Sequence, residues 1–345
     1  MEKIYIDPST RILYASYYIE GFYEVFGRKN VSFSDKYFKK LIRKKDDFSF
    51  QHFFSFVHVS NKNIITKFVI DFCDPFDIHE NAYDWCDFYC KINLNIELTE
   101  PKFLDKIVQI PPGFGIRIWS LPQTFFYCLN NYFRFKKSIL ISLKDHLRDY
   151  SHQFKRVRIK NYENYESEAK SKKPYIFMIG TFWEDENSLA FTNLNRKKFI
   201  EVCEKTNCDF EGGFFSRNKT TKNLEKYIFE KPYSCKDYIS KTKKSLFVYN
   251  TPAVHNCHGW KLGEFIAMNK PIISTRLINE IPLGLEHGKN IHFVGNEIEL
   301  ESAVKLLIND NSYRLTLTNN LKNYYSVSMS PKAVINNIIS KIKFE

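Results

Sequence analysis

The sequence predicts an α/β protein of two domains. Three observations carry this reading. Strand-like apolar runs alternate with helix-length amphipathic stretches through the second half. The 345 residues exceed what one hydrophobic core ordinarily serves. A polar stretch, "RVRIKNYENYESEAKSKKP" (156–174), divides the chain. Strands and helices alternating at this spacing form βαβ units, whose right-handed crossovers build a parallel sheet.

The second half gives its elements in order. "KPYIFMIGTFW" (173–183) is a continuous apolar run, as a strand buried on both faces would be. "NRKKFIEVCEKTN" (195–207) has helical periodicity. "CDFEGGFF" (208–215) reads as a second strand running into a Gly-Gly turn. "SCKDYISKTKK" (234–244) is a helix with Ser234 as its N-cap. "SLFVYNTP" (245–252) is a third strand, broken by Pro252. A loop, a helix from Trp260 to Met268 and the strand "PIIST" (271–275) follow. "NIHFVG" (290–295) is a fifth strand and "NEIELESAVKLLIND" (296–310) a helix. Helices at Ser312–Tyr325 and Pro331–Ile342 close the chain, Pro331 suiting a first helical turn. The domain from about Lys172 onward is therefore Rossmann-like. The first half offers strands in "KIYID" (3–7), "NIITKFVIDFCDP" (63–75), "CDFYCKINL" (86–94) and "KIVQIPPGFG" (106–115), enough for a second α/β domain.

The bulk composition bounds function. A hydrophobic content of 43% and a charged content of 26% describe a globular protein rather than a disordered one. Aromatics reach 17%, with 32 Phe and 21 Tyr, so much of the core must be aromatic. "NAYDWCDFYC" (81–90) and "PPGFGIRIW" (111–119) offer a stacking wall for a sugar, with core packing as the plainer reading. The formal charge of +12 admits nucleic acid, an anionic membrane or a phosphorylated small molecule as partner. Apart from clusters such as "KKLIRKK" (39–45), the charge is spread as a solvated surface is. No apolar run approaches the ~20 residues that cross a bilayer, and the N-terminus lacks a signal-peptide pattern, so a cytoplasmic location is expected. The eight Cys lack paired CxxC spacing and read as reduced thiols, with Cys86 and Cys90 as small buried residues.

Ligands of open α/β sheets bind outside the C-terminal ends of the strands. Thr181 stands there after the first strand of the second domain. Arg217 and Lys222 follow Gly212 and Gly213 after the second. Asn250, Thr251, His255, His258 and Gly259 follow the third, and Trp260, Lys261, Gly263 and Glu264 open the next helix. Glycine permits close backbone approach, and a helix N-terminus with adjacent cations attracts phosphate. The set fits a nucleotide diphosphate better than a metal. His255, Cys257 and His258 lack a second ligand pair at zinc spacing, so no metal is expected.

The run "HGWKLGEFIAMNKPIIST" (258–275), with "NEIPLGLEHGKNIHFV" (279–294) and the helices to about Ile339, resembles the donor-binding half of GT-B glycosyltransferases. The resemblance implies two Rossmann-like domains facing a cleft, with the last helix crossing back to the first. The divisions become 1–170 for the acceptor, 171–328 for the sugar nucleotide and 329–345 for the returning helix. It implies that Glu264 holds ribose, with Lys261, Gly259, Trp260, Gly263 and His255 bordering the donor, and the strand-end positions add Arg217, Lys222 and Thr181 to that border. Retaining members commonly carry a second Glu eight residues upstream. Asn256 stands there instead, which puts retention in question and leaves inversion open. Inversion needs a general base near the acceptor. Asp71, Asp74 and Glu20, with Asp7, are the candidates in the first domain, and His258 is the candidate in the second.

The expected activity is therefore metal-independent hexosyl or deoxyhexosyl transfer. The co-substrate is a nucleotide-diphosphate sugar, with no resident cofactor. The acceptor implied is a glycan or lipid-linked oligosaccharide of bacterial surface polysaccharide, reached from the cytoplasm at the inner membrane face through patches such as 39–45. Two other classes remain open: a basic nucleic-acid-binding protein, and a non-catalytic sugar-nucleotide-binding relative.

Overall fold

The computed structural model describes residues 1–43, 53–165, 173–184, 188–216, 225–229 and 232–342. They fall into two units. The first comprises Met1–Ile159, Asn279–Leu283 and Ser326–Glu345, and the second Lys160–Ile278 and Gly284–Tyr325.

The first unit is built on a mixed sheet. Its strands are β1 (Lys3–Ile6), β2 (Val31–Phe33), β3 (Phe53–Val59), β4 (Ile65–Asp71), β5 (Phe88–Lys91) and β6 (Ile107–Gln109), in the order β2-β1-β3-β4-β5-β6. β1 with β2, and β4 with β5 and β6, pair in parallel, while β3 runs antiparallel to both β1 and β4. The expected α/β first domain is present, with β3 as one antiparallel strand among otherwise parallel pairs. The cause is the short Ser60–Ile64 turn, closed by Ser60 N to Ile64 O at 2.9 Å with Asn63 at φ 63°. So few residues cannot make the crossover that parallel neighbours require.

The aromatic content goes into this core. Phe56 opposes Phe68, and Phe68 opposes Phe88, across β3, β4 and β5, with ring centroids 4.7 and 5.2 Å apart. Such cross-strand stacks are the unit of sheet stabilisation. Phe22 of helix α1 (Ile12–Phe26) packs on Phe56 at 4.6 Å. Tyr83, Trp85, Tyr89, Phe114 and Trp119 are buried here too. The two aromatic runs are therefore core and not a sugar-stacking wall. The α1 N-terminus has no cap of its own. Asp149, on a later helix, accepts the Ile12 amide at 2.6 Å instead.

Helices α2 (Glu80–Trp85), α3 (Leu121–Arg134) and α4 (Leu143–Lys155) complete this part, and α5 (Ile159–Glu163) leads into the second unit. The last helix, α11 (Pro331–Ile339), belongs to the first unit and packs on α1. Gly21 makes the contact possible, because a Cβ there would lie 2.3 Å from Pro331 O and 2.6 Å from Ile335 Cγ1. Gly21→Val is expected to cost about 1–3 kcal/mol or more by overpacking, read as a drop in urea midpoint. Unchanged stability would contradict this packing. Asn279–Leu283 also joins this unit, the Glu280 amide donating to Leu94 O at 2.8 Å.

The second unit carries β7 (Tyr175–Thr181), β8 (Asp209–Phe215), β9 (Val248–Asn250), β10 (Ile272–Thr275) and β11 (His292–Val294). Its helices are α6 (Leu194–Lys205), α7 (Cys235–Lys244), α8 (Trp260–Ala267), α9 (Glu297–Asn309) and α10 (Asn311–Tyr324). Every strand pair is parallel: β7 with β8, and β10 with both β9 and β11. Between β7 and β9 the ladder is broken. Leu246 N bonds Tyr175 O at 2.8 Å, and the Ser245 hydroxyl takes the Phe177 amide at 2.9 Å. Ser234 caps α7 as expected, accepting Asp237 N at 3.1 Å. Gly212 and Gly213 are not a turn but lie inside β8, at φ 132° and 138°. A Cβ on Gly212 would lie 1.9 Å from Met178 O, so glycine lets β8 approach β7.

Candidate functional site

The parallel strands of the second unit deliver their C-terminal ends to one edge. There the ends of β7 and β9 and the start of α8 border a pocket of about 160 Å³. Thr181, Arg196, Asn250, Thr251, Gly259, Trp260 and Lys261 are among its lining residues. Gly259 is the N-cap of α8 and brings no side-chain cap. The positive end of the helix is thus not closed by its own cap residue.

Two cations share this pocket. Arg196, on α6, donates from Nε to Thr251 Oγ1 at 3.0 Å and from Nη1 to Thr181 O at 3.1 Å. Lys261 donates from Nζ to the Ile179 carbonyl. Burial pulls Arg196 down to about 10. Burial and then the neighbouring Arg196 charge pull Lys261 down to about 7, against a smaller opposite pull from Glu264. Among the described residues, no carboxylate lines the pocket. Like charges held together in a desolvated place are costly, and an anion between them relieves the cost. The arrangement can hold one or two phosphoryl groups.

The structure brings Thr181, Gly259, Trp260 and Lys261 of the expected donor residues to this wall. It does not bring Glu264, which is 4% exposed and accepts from the Tyr162 hydroxyl at 3.5 Å. Gly263 is buried within α8, away from the lining. His255 is exposed on a short turn at φ 55° and His258 is buried; neither lines the pocket. Arg217 and Lys222 lie outside the described residues. Arg196 was missed by the sequence reading. In "NRKKFI" it is one basic residue among three, with nothing local to set it apart.

In the first unit the expected bases separate. Asp71 is fully buried and saturated by Tyr89 Oη at 2.5 Å, Lys91 Nζ at 2.9 Å and Cys73 N at 2.8 Å. A carboxylate so enclosed is structural, which corrects its assignment as base. Asp7 is buried in an ion pair with Arg43 at 2.9 Å. Glu20 is half-buried on α1, and Asp74 is exposed in the loop after β4. Asp71, Cys73 and His79 place ligand-type atoms within 4.8 Å of one another. They do not fit a metal ion. The Lys91 ammonium already occupies the Asp71 carboxylate, and burial pushes the Cys73 thiol up to about 12, so it keeps its proton.

No family model and no curated protein matches the chain. Solved structures do. The C-terminal domain of a glycosyl transferase group 1 family protein, LpcC, from Francisella tularensis is similar over 49% of this chain and 91% of its own, at 12% identity and a TM-score of 0.31. Anabaena HepE in complex with UDP and glucose is similar over 76% of this chain and 65% of its own, at 13% identity and a TM-score of 0.40. The glycosylation-associated Gap123 complex from Streptococcus agalactiae is similar over 76% of this chain, at 13% identity and a TM-score of 0.41. The chain spans 46% of that relative. TM-scores this low assign neither a family nor an activity. The fold class rests on the strands and helices themselves: this is a two-unit α/β protein whose second unit is parallel throughout its described strand pairs.

Proposed function

We propose that the second unit binds the diphosphate of a nucleotide sugar and that the chain transfers the sugar to an acceptor. One observation carries this reading: Arg196 and Lys261 converge on a pocket at the strand ends and the start of α8 that no carboxylate lines among the described residues. The motif of residues 258–275 supports it from the sequence side. As the sugar–phosphate bond breaks, negative charge grows on the departing diphosphate. A preorganised guanidinium, ammonium and helix terminus stabilise that charge and do the electrostatic work a metal does elsewhere. Trp260 borders the same pocket and offers its ring to the base. Hexosyl or deoxyhexosyl transfer onto a glycan or lipid-linked acceptor in the cytoplasm is the finer form of the proposal. Asp74 is the exposed carboxylate left among the expected bases.

A thermal-shift panel of UDP, GDP, ADP and CMP tests this. A rise in midpoint is expected with one diphosphate and none with CMP. No rise with any of them would remove the reading. The Glu264→Gln variant adds a second readout. If Glu264 grips ribose, the variant discriminates less between the nucleoside diphosphate and inorganic pyrophosphate. Unchanged discrimination would remove the ribose role of Glu264.

A further inference from the structure

A side chain as long as that of Arg196 points at a pocket only if something holds it there. The start of α6 is stitched to both loops that border the pocket. Thr192 and Asn193 end the helical turn Ser188–Asn193 that leads into α6, and both are buried. Thr192 Oγ1 donates to Pro252 O at 3.0 Å, beyond β9. Asn193 Oδ1 accepts the Trp183 amide at 3.3 Å, and its Nδ2 donates to Trp183 O at 2.6 Å, beyond β7. Arg196 follows three and four residues later, which on a helix is the same face.

From there Arg196 crosses the end of β7. Its bonds to Thr251 Oγ1 and Thr181 O use two of the five N–H groups of a guanidinium. Thr251 is itself buried. Gly180 supplies the room for the crossing. A Cβ there would lie 3.2 Å from Arg196 Nη1, 3.4 Å from Cδ and 3.6 Å from Cζ, so the guanidinium rests against bare backbone. A group held in this way loses little further freedom when it meets a ligand, and that preorganisation raises affinity.

We propose that Thr251 and Gly180 are positioning residues, which act through Arg196 by aiming its guanidinium at a phosphoryl oxygen in the pocket. The proposal rests on the diphosphate reading above. Inorganic pyrophosphate is the probe, titrated by calorimetry into the full chain. Thr251→Val keeps the shape of threonine and loses the acceptor, so binding is expected to weaken about three- to tenfold. Thr251→Ser restores the acceptor and is expected to return most of that affinity. Gly180→Ala displaces only the far end of a flexible side chain. It is expected to keep its thermal midpoint and to weaken binding by a similar factor. A second readout needs no ligand: the Arg196 Nε–H resonance, identified as the arginine signal lost in Arg196→Lys. It is expected to be protected from water exchange in wild type and Thr251→Ser, and exposed in Thr251→Val. If wild type takes up neither pyrophosphate nor any nucleoside diphosphate, the diphosphate reading falls and this proposal with it. If wild type binds and Thr251→Val and Gly180→Ala bind equally well, the positioning roles alone fail. They fail too if serine does not restore what valine loses, or if the Nε–H signal exchanges as fast in wild type as in Thr251→Val.

Discussion

Lys91→Met is expected to cost the first unit about 3–5 kcal/mol, the largest stability effect of any single change considered. Lys91 and Asp71 are both 0% exposed and 2.9 Å apart. The same ammonium donates to Pro75 O at 2.9 Å and Asp77 O at 3.0 Å, so it also pins the loop after β4. Removing it strands a buried carboxylate and leaves two carbonyls without their donor. Removing one partner is the expensive operation; removing both charges is far less so. The double variant Asp71→Leu/Lys91→Met should therefore recover much of the loss. Urea unfolding followed by intrinsic fluorescence reads both. A single variant within about 1 kcal/mol of wild type would show that the pair is not sealed from water.

Arg196→Ala and Lys261→Met should each weaken nucleoside diphosphate binding by about 10- to 150-fold, from charge-assisted hydrogen bonds of about 1.5–3 kcal/mol. Isothermal titration reads the effect, and full affinity in either variant would remove that residue from the phosphate site. Lys261 adds a pH signature. With its ammonium titrating at about 7 in the free protein, affinity should be highest below pH 7 and fall as pH rises through it. A bound anion favours the charged form, so the midpoint in the complex lies higher than in the free protein. Lys261→Met should flatten the profile.

Stability moves the other way. The unfolded chain holds this proton up to about 10.5 while the folded chain releases it near 7. Between those values the unfolded state binds more protons, so stability rises with pH across that window. Below it both states are protonated and the fold bears the full cost of the buried charge. Lys261→Met should accordingly be more stable than wild type at pH 6, with the gap closing towards pH 10. A gap that does not change with pH would contradict a depressed Lys261.

The second unit was largely legible in the sequence because its signals are local. Apolar runs such as 175–181, the cap at Ser234 and the first-turn Pro331 act within a few residues of themselves. β3 was missed although "FFSFVHVSNKNIITKFVID" (53–71) holds two apolar runs around a short polar turn, a hairpin signal. The Gly-Gly pair was read as a turn because two adjacent glycines usually mark one. Only the neighbour, Met178 of β7, makes them a close approach.

By itself the sequence determined the period of most elements and the parallel α/β character of the second unit. Tertiary structure alone decided which charges face inward. Arg196, Lys197 and Lys198 are consecutive, yet Lys197 and Lys198 pair with Glu201 and Glu297 at the surface while Arg196 reaches Thr181 and Thr251. Asp71 and Asp74 are three residues apart, yet one is sealed in the core and the other exposed. The reason is range. Periodicity is set by neighbours along the chain, whereas the solvation of a charge depends on whichever distant segment the fold lays over it.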